Sequence, residues 1–228
     1  MKDAGITSNK FRNDSAFQRG LEAGGRLLVE GSVVLGQNGG SVPSASSSAD
    51  LSDTDIPYEQ ELLIEKLALA RDCWFDNPRI YYDRCGYRLY GYGGEAQVFA
   101  EGDSYVHKIC RTGQYPTLQL FFERIVIQNT VCPVASLEIE GFGRDSFGDF
   151  VILMRQRFFR QAYLMSDIEV AEYMQCLGFR RVIEEPYHKV KYLSDAVVAE
   201  DLHSGNIWKT PEGNVVIVDG AFAFTNPS

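Results

Sequence analysis

Glu200-Asp-Leu-His-Ser-Gly-Asn206, followed beyond a turn by Val215-Val-Ile-Val-Asp-Gly220, is the stretch on which the reading of the fold depends. Asn206-Ile-Trp-Lys209, Thr210-Pro-Glu-Gly-Asn214 and Val215-Val-Ile-Val218 read as a β-hairpin with Pro211 and Gly213 at turn positions. Asn206 and Asp219 are about equally far from that turn, so the spacing predicts that they meet at the hairpin's open end. Two oxygen ligands there suit Mg²⁺, which takes few protein oxygens and completes its shell with substrate phosphates. Asp201 precedes Asn206 across a loop and can send a carboxylate into the same space. The plainer alternative makes Asn206 and Asp219 strand-end caps and Asp201 a solvated loop residue.

Moving toward the N-terminus, Ser166 with Glu169 forms a capping box and Gly178 a C-terminal stop, which predicts a helix between them. Leu137 to Phe142 and Phe150 to Met154 read as strands, and Thr117 to Gln128 as a helix. Gly86-Tyr-Arg-Leu-Tyr90, Ala96-Gln-Val-Phe-Ala100 and Tyr105-Val-His-Lys-Ile-Cys110 form an antiparallel meander. Folding it at Glu101 to Ser104 sets Lys108 roughly opposite Gln97 and Val98, beneath the loop Gly91-Tyr-Gly-Gly-Glu-Ala-Gln-Val98. Alternation gives Val106, Lys108 and Cys110 one face and Tyr105, His107 and Ile109 the other. A lysine beside Val and Cys is costly to desolvate unless an anion meets it. Bound phosphate and Glu123, in the following helix, are the candidates, against the alternative of an edge lysine in water.

The glycines of the loop allow backbone N–H groups to approach phosphate oxygens closely. A strand follows them, so the pattern is neither a Walker loop nor a dinucleotide fingerprint, and an ordinary hairpin turn is the alternative. His107 is assigned to the sheet surface and His188 to a loop. Further back, Glu59 to Arg71 predicts a helix with Leu62, Leu63, Leu67 and Leu69 on its inner side, acidic at its start and basic at its end.

The 228 residues carry 22 Lys and Arg against 31 Asp and Glu, a formal charge of −9. That balance argues against an extended basic surface for nucleic acid and against a polybasic membrane anchor. Cys73, Cys85, Cys110, Cys132 and Cys176 contain no C-x-x-C pair and read as reduced, mostly core thiols of a cytoplasmic protein. No apolar run approaches the roughly 18 residues of a membrane span, and the N-terminus lacks the apolar segment of a signal peptide. Residues 1–55 read as a flexible Gly/Ser-rich leader, within which Arg26 to Leu35 alone has strand character.

In this order, glycine loop, lysine, helix glutamate, apolar strand, Asp-x-x-x-x-Asn and Asp-Gly, the chain resembles a protein-kinase-like phosphotransferase. Gly93-Gly-Glu-Ala-Gln-Val98, Tyr115-Pro-Thr117, Gln128-Asn129, Gly141-Phe142, Gly178-Phe179 and the Asp-Leu-His-x-x-Asn to Asp-Gly ending are similar to the kinase domains of polyvalent proteins from bacterial mobile elements and phages. The resemblance spans about Tyr58 to Gly220. It implies that Gly91, Gly93, Gly94 and Glu95 cover the phosphates of ATP and that Lys108 binds them. Glu123 would hold Lys108, with Gln119 and Glu138 as competitors. Met154 and Gln156 would contact adenine at a hinge around Arg155 to Arg157. Asp201 would orient the acceptor hydroxyl, and Asn206 and Asp219 would ligate Mg²⁺. His203 would either approach the transferring phosphate or lock the loop.

The implied architecture is α+β, a two-lobed kinase-like fold with the nucleotide between the lobes. Residues 56–154 would form an N-terminal lobe with an antiparallel sheet, and residues 155–228 the hinge and a reduced, largely helical C-terminal lobe. The nine residues after Asp219 would leave no room for a peptide-docking region. The function expected is ATP- and Mg²⁺-dependent phosphotransfer to a protein, the chain itself included, or to a small-molecule hydroxyl. The alternatives are a pseudokinase-like binding module and a metal-dependent hydrolase using Asp201, His203, Asp219 and His188.

Overall fold

Helix α1, Asp55–Ala70, begins the part of the chain that the computed structural model describes, residues 55–225. The expected leader and its candidate strand lie outside the described residues. Ile64 and Ala68, four apart, are the buried centre of the inner side of α1, and Leu62, Leu63 and Leu67 flank them half-buried. Leu69 is 55% exposed, which corrects its assignment to the inner side. Five residues beyond Ile64, it stands about 140° around the helix. The helix ends at Ala70, so Arg71 falls just past the last turn.

Residues 55–121 and 138–156 belong to the first of two compact units. After strand β1, Trp74–Phe75, a short helix α2, Pro78–Arg84, is started by Asn77, whose Oδ1 accepts the Ile80 N–H, and by proline in the first turn. Strands β2 (Arg88–Tyr92), β3 (Ala96–Glu101) and β4 (Tyr105–Arg111) form the antiparallel meander. With β5 (Leu137–Arg144) and β6 (Phe150–Arg157) they make one sheet in the order β1-β5-β6-β4-β3-β2. The sheet is not wholly antiparallel, because β1 runs parallel to β5 with Trp74 opposite Phe142. Arg155 to Arg157, expected as a linker, are the last residues of β6. Tyr82, Phe99, Ile109, Val151 and Leu153 form one buried cluster, with Phe75, Tyr81 and Tyr87 packed against it.

His107 corrects its assignment to the sheet surface, for its side chain is fully buried. β4 is an interior strand, with buried residues facing both ways. The imidazole Nδ1 lies 2.8 Å from Glu140 Oε2 and Nε2 lies 3.2 Å from Glu101 Oε2, while the Tyr82 hydroxyl donates to the same Glu140 oxygen at 2.8 Å. Tyr87 stacks on the ring at 4.3 Å. Burial opposes the charged imidazolium, but Glu140 and Glu101 outweigh it and hold His107 above its ordinary value.

Helix α3, Leu118–Val131, starts in the first unit and continues in the second, which comprises residues 122–137 and 157–225. In the second unit, helix α4, Asp167–Cys176, has the full capping box: Ser166 Oγ accepts the Glu169 N–H, and Glu169 Oε2 accepts the Ser166 N–H. Gly178 takes a left-handed φ of +86° beyond its end. The unit is not largely helical. Strands β8 (Arg180–Glu184), β9 (Lys189–Leu193), β10 (Val197–Glu200) and β13 (Ala221–Phe224) form an antiparallel sheet in the order β13-β10-β9-β8. Strands β7 (Tyr163–Leu164), β11 (Ile207–Lys209) and β12 (Val215–Ile217) form another, in the order β12-β11-β7. Met165, Met174, Ala199, Ile207, Ile217 and Phe222 are among the side chains of the unit's apolar core.

Candidate functional site

The chain passes between the two sheets of the second unit once through helix α4, from β7 to β8, and twice through short loops. It leaves β10 and enters β11 through the loop Asp201 to Asn206, and it leaves β12 and enters β13 through Val218 to Gly220. Pairing of Glu200 with Ala221 and of Ile207 with Ile217 brings the two crossings together. The Val218 N–H donates to the Asn206 carbonyl at 2.9 Å, so Asn206 stands opposite Val218, and Asp219 lies one residue beyond. Asp201, His203, Asn206 and Asp219 thus belong to one end of the unit.

Within the loop, Asp201 has φ +59°, a left-handed conformation that Asp tolerates better than most residues. Asn206 Nδ2 closes the loop by donating to the Asp201 carbonyl at 2.9 Å and to Asp201 Oδ2 at 3.1 Å. Only the NH₂ side of an amide can meet a carbonyl oxygen, so the Asn206 orientation is fixed. Its Oδ1 makes no hydrogen bond among the described residues. His203 Nδ1 accepts the Gly205 N–H at 2.9 Å, which leaves the ring proton on Nε2, 3.4 Å from Asp201 Oδ1. The indole N–H of Trp208 donates to the Gly205 carbonyl. Glu200, just before the loop, pairs with Lys189 and Lys191 on β9. Burial works against its charge, yet the two ammonium groups keep its carboxyl below the usual range.

Helix α3 and the residue just past its end reach the second crossing with three side chains spaced by four residues. Cys132 donates to the Val215 carbonyl and accepts the Ile217 N–H, both at 3.3 Å, and Gln128 Nε2 donates to the Ile217 carbonyl at 3.1 Å. Arg124 Nε donates to the Gly220 carbonyl at 2.7 Å, and its Nη2 pairs with Asp219 Oδ1. The same Asp219 oxygen accepts the Gly220 N–H at 3.0 Å. A Cβ on Gly220 would stand 2.8 Å from the Phe222 ring and 2.9 Å from Leu202, so the bend admits only glycine without repacking. Asn129, beside the stripe, clamps Leu137 by donating to its carbonyl and accepting its N–H. Sequence reasoning missed Arg124; the signal was a charge between Phe122 and Ile125 in step with Gln128 and Cys132.

In the first unit, Tyr92 pairs with Gln97 around the exposed turn of Gly93, Gly94 and Glu95, and the Gly93 N–H donates to the Ala96 carbonyl at 2.8 Å. Gly91 is half-buried in β2, where the register shifts between Leu89 and Gly91. A Cβ at Gly94 would meet nothing within 4 Å, and at Gly93 nothing closer than 3.7 Å. Neither glycine has a left-handed φ. The fold therefore does not demand glycine at these two positions. A shallow hollow by the turn is lined by Gly93, Gln97, Ile109 and Val151, among others, with Arg111 facing Asp145. Lys108, directly opposite Val98 in the β3–β4 register, belongs to the other face of the sheet and is half-buried.

The remaining expected residues are dispersed. Met154 and Gln156 are buried on β6 of the first unit, and Glu123 is half-buried on α3 in the second. Glu138, a competitor for the Lys108 partnership, stands on strand β5 and pairs with Arg155. His188 sits in an exposed turn 3.2 Å from Glu185. Among the described residues no three His, Cys, Asp or Glu side chains gather as a metal cluster. The oxygens at the crossings fit a different kind of site: Asn206 Oδ1 and Asp219 Oδ2, both without hydrogen-bond partners among the described residues, suit a hard cation that takes its other ligands from phosphate and water. No helix among the described residues is long and apolar enough to cross a membrane.

No curated protein and no solved structure matches the chain. A family model does, over residues 58–226, which take in the glycine turn, Lys108 and both crossings. The chain belongs to the family of serine/threonine/tyrosine kinases found in polyvalent proteins.

Proposed function

We propose that the chain is a phosphotransferase that uses ATP with Mg²⁺, in a two-lobed kinase-like arrangement. Its acceptor is a hydroxyl of a protein, the chain itself included, or of a small molecule. The observation that carries the reading is the pair of side-chain oxygens, Asn206 Oδ1 and Asp219 Oδ2, that make no hydrogen bond among the described residues while Asn206 Nδ2 and Asp219 Oδ1 are used locally. Gly93 and Gly94 support it from the first unit, since glycine there serves close approach by a ligand rather than the needs of the turn.

Phosphoryl transfer asks the protein mainly for positioning and charge neutralisation. Lys108, half-buried beside Val98, would bind the nucleotide phosphates, with the amides of the glycine turn above them and Glu123 as the counter-charge of the lysine. Asn206 and Asp219 would hold Mg²⁺, which supplies charge neutralisation when bound. Asp201, kept in place by Asn206, would orient the acceptor hydroxyl and take its proton. His203, whose Nδ1 is used on Gly205, would keep that loop in shape. Met154 and Gln156 would meet adenine through their backbone.

Purified protein with Mg²⁺ and labelled ATP should transfer or hydrolyse phosphate. Lys108→Ala and Asp219→Ala should each lower that rate by about 10³-fold, the scale of removing one preorganised charge-stabilising group. Binding of ATP without turnover would sink the enzyme reading and leave the pseudokinase-like module. No melting-temperature rise with millimolar ATP and Mg²⁺ would remove nucleotide binding altogether.

A further inference from the structure

We infer that Arg124 is a positioning residue for Asp219, fixing one carboxylate oxygen so that the other is presented to the cation. The inference rests on the phosphotransferase reading above. Two atoms of one guanidinium grip the two residues of a single bend: Nε takes the Gly220 carbonyl and Nη2 takes Asp219 Oδ1. The Gly220 N–H adds a second donor to that same Oδ1. Oδ2 makes no hydrogen bond among the described residues. A carboxylate held in this way offers one oxygen, which suits the near-octahedral shell of Mg²⁺.

Burial separates this contact from an ordinary surface ion pair. The Arg124 side chain is 10% exposed and that of Asp219 is 44% exposed. Exposed pairs lose most of their Coulomb gain to water and to side-chain entropy, whereas here the cation is fixed in the protein and only the anion reaches solvent. The planar fork adds direction that a lysine ammonium lacks. Arg124 is also in step with Gln128 and Cys132, whose bonds to Ile217 and Val215 set the strand that leads into the bend. The groups that hold the strand thus stand in line with the one that aims the carboxylate.

The test uses the full chain and reads Mg²⁺ rather than turnover. The melting temperature is followed while Mg²⁺ is titrated into protein with excess ATP, and ATP is titrated separately without metal. Arg124→Met should raise the Mg²⁺ concentration for half-maximal response by about tenfold, the scale of losing a group that orients a metal ligand. The metal-free ATP midpoint should stay where it is. Arg124→Lys, which keeps the charge and loses the fork, should fall between Met and wild type. An unchanged Mg²⁺ midpoint in Arg124→Met overturns the inference, because a purely structural pair would lower the melting temperature without moving that midpoint. If Arg124→Met does not fold, Arg124→Lys decides alone, and a wild-type midpoint overturns the inference. A wild-type protein that ignores Mg²⁺ with ATP overturns the phosphotransferase reading as well, whereas a responsive wild type with indifferent variants overturns Arg124 only.

Discussion

Glu140 in the first unit and Asp219 in the second are held alike and exposed differently. Each receives two polar partners on a single oxygen, His107 and Tyr82 for Glu140, Arg124 and the Gly220 N–H for Asp219. Each leaves its second oxygen without a hydrogen bond among the described residues. The Glu140 side chain is only 5% exposed and its second oxygen is enclosed, whereas the Asp219 side chain is 44% exposed. A half-satisfied carboxylate is therefore not a functional signal by itself. Enclosed at Glu140, it joins β5 to β4 and α2; at Asp219 the same pattern puts the second oxygen on a side chain that solvent reaches.

Glu140→Gln is the hardest blow to that comparison. It removes the charge facing a buried imidazole and should lower the free energy of unfolding by about 3 kcal/mol, measured by urea denaturation. The Mg²⁺ midpoint in the presence of ATP should not move; if it does, the two carboxylates are not separate in role. Gln128→Met is milder. It deletes one hydrogen bond to Ile217 and should cost about 1 kcal/mol. It should leave that midpoint unchanged too, since it lies on the strand side of the stripe.

The smallest expected effect is on pH dependence. Because the folded state holds His107 above its ordinary 6.5, it binds the proton more tightly than the unfolded chain does. The stabilisation is complete below the unfolded value and is lost as pH rises through the raised one. Wild type minus His107→Gln in unfolding free energy should therefore shrink from mildly acidic to alkaline pH. A difference that grows with pH would mean that the imidazole is neutral in the folded state, with Tyr82, Tyr87, Glu101 and Glu140 arranged around it in another way.

Much of this was legible in the sequence where local chemistry decides. Ser166, Glu169 and Gly178 bracket α4 because capping is a contest among a few neighbouring groups. Pro211 and Gly213 set a turn, and the turn sets the register from Ile207 to Ile217. The register around Lys108 followed in the same way. What stayed hidden depends on partners far along the chain. β8 has almost no buried side, so Arg180, Arg181 and Glu184 carry no alternation that marks a strand, and the sheet that corrects the helical expectation has no signal there. β13 is four residues long and exists through its pairing with β10. His107 looked superficial because alternation identifies the faces of a strand without saying what covers them. Arg124 went unread because its partner lies 95 residues away. Asn77 and Pro78, by contrast, were a readable start for α2 that went unused.

The sequence holds two tryptophans, one in each unit, Trp74 on β1 and Trp208 on β11. The indole of Trp208 is hydrogen-bonded to Gly205, inside the loop that Asp201 and Asn206 close. The chain therefore carries its own optical label at the loop. With Trp74 replaced by Phe, emission comes from Trp208 alone, and the polarity and rigidity around Gly205 become a fluorescence signal that needs no added dye.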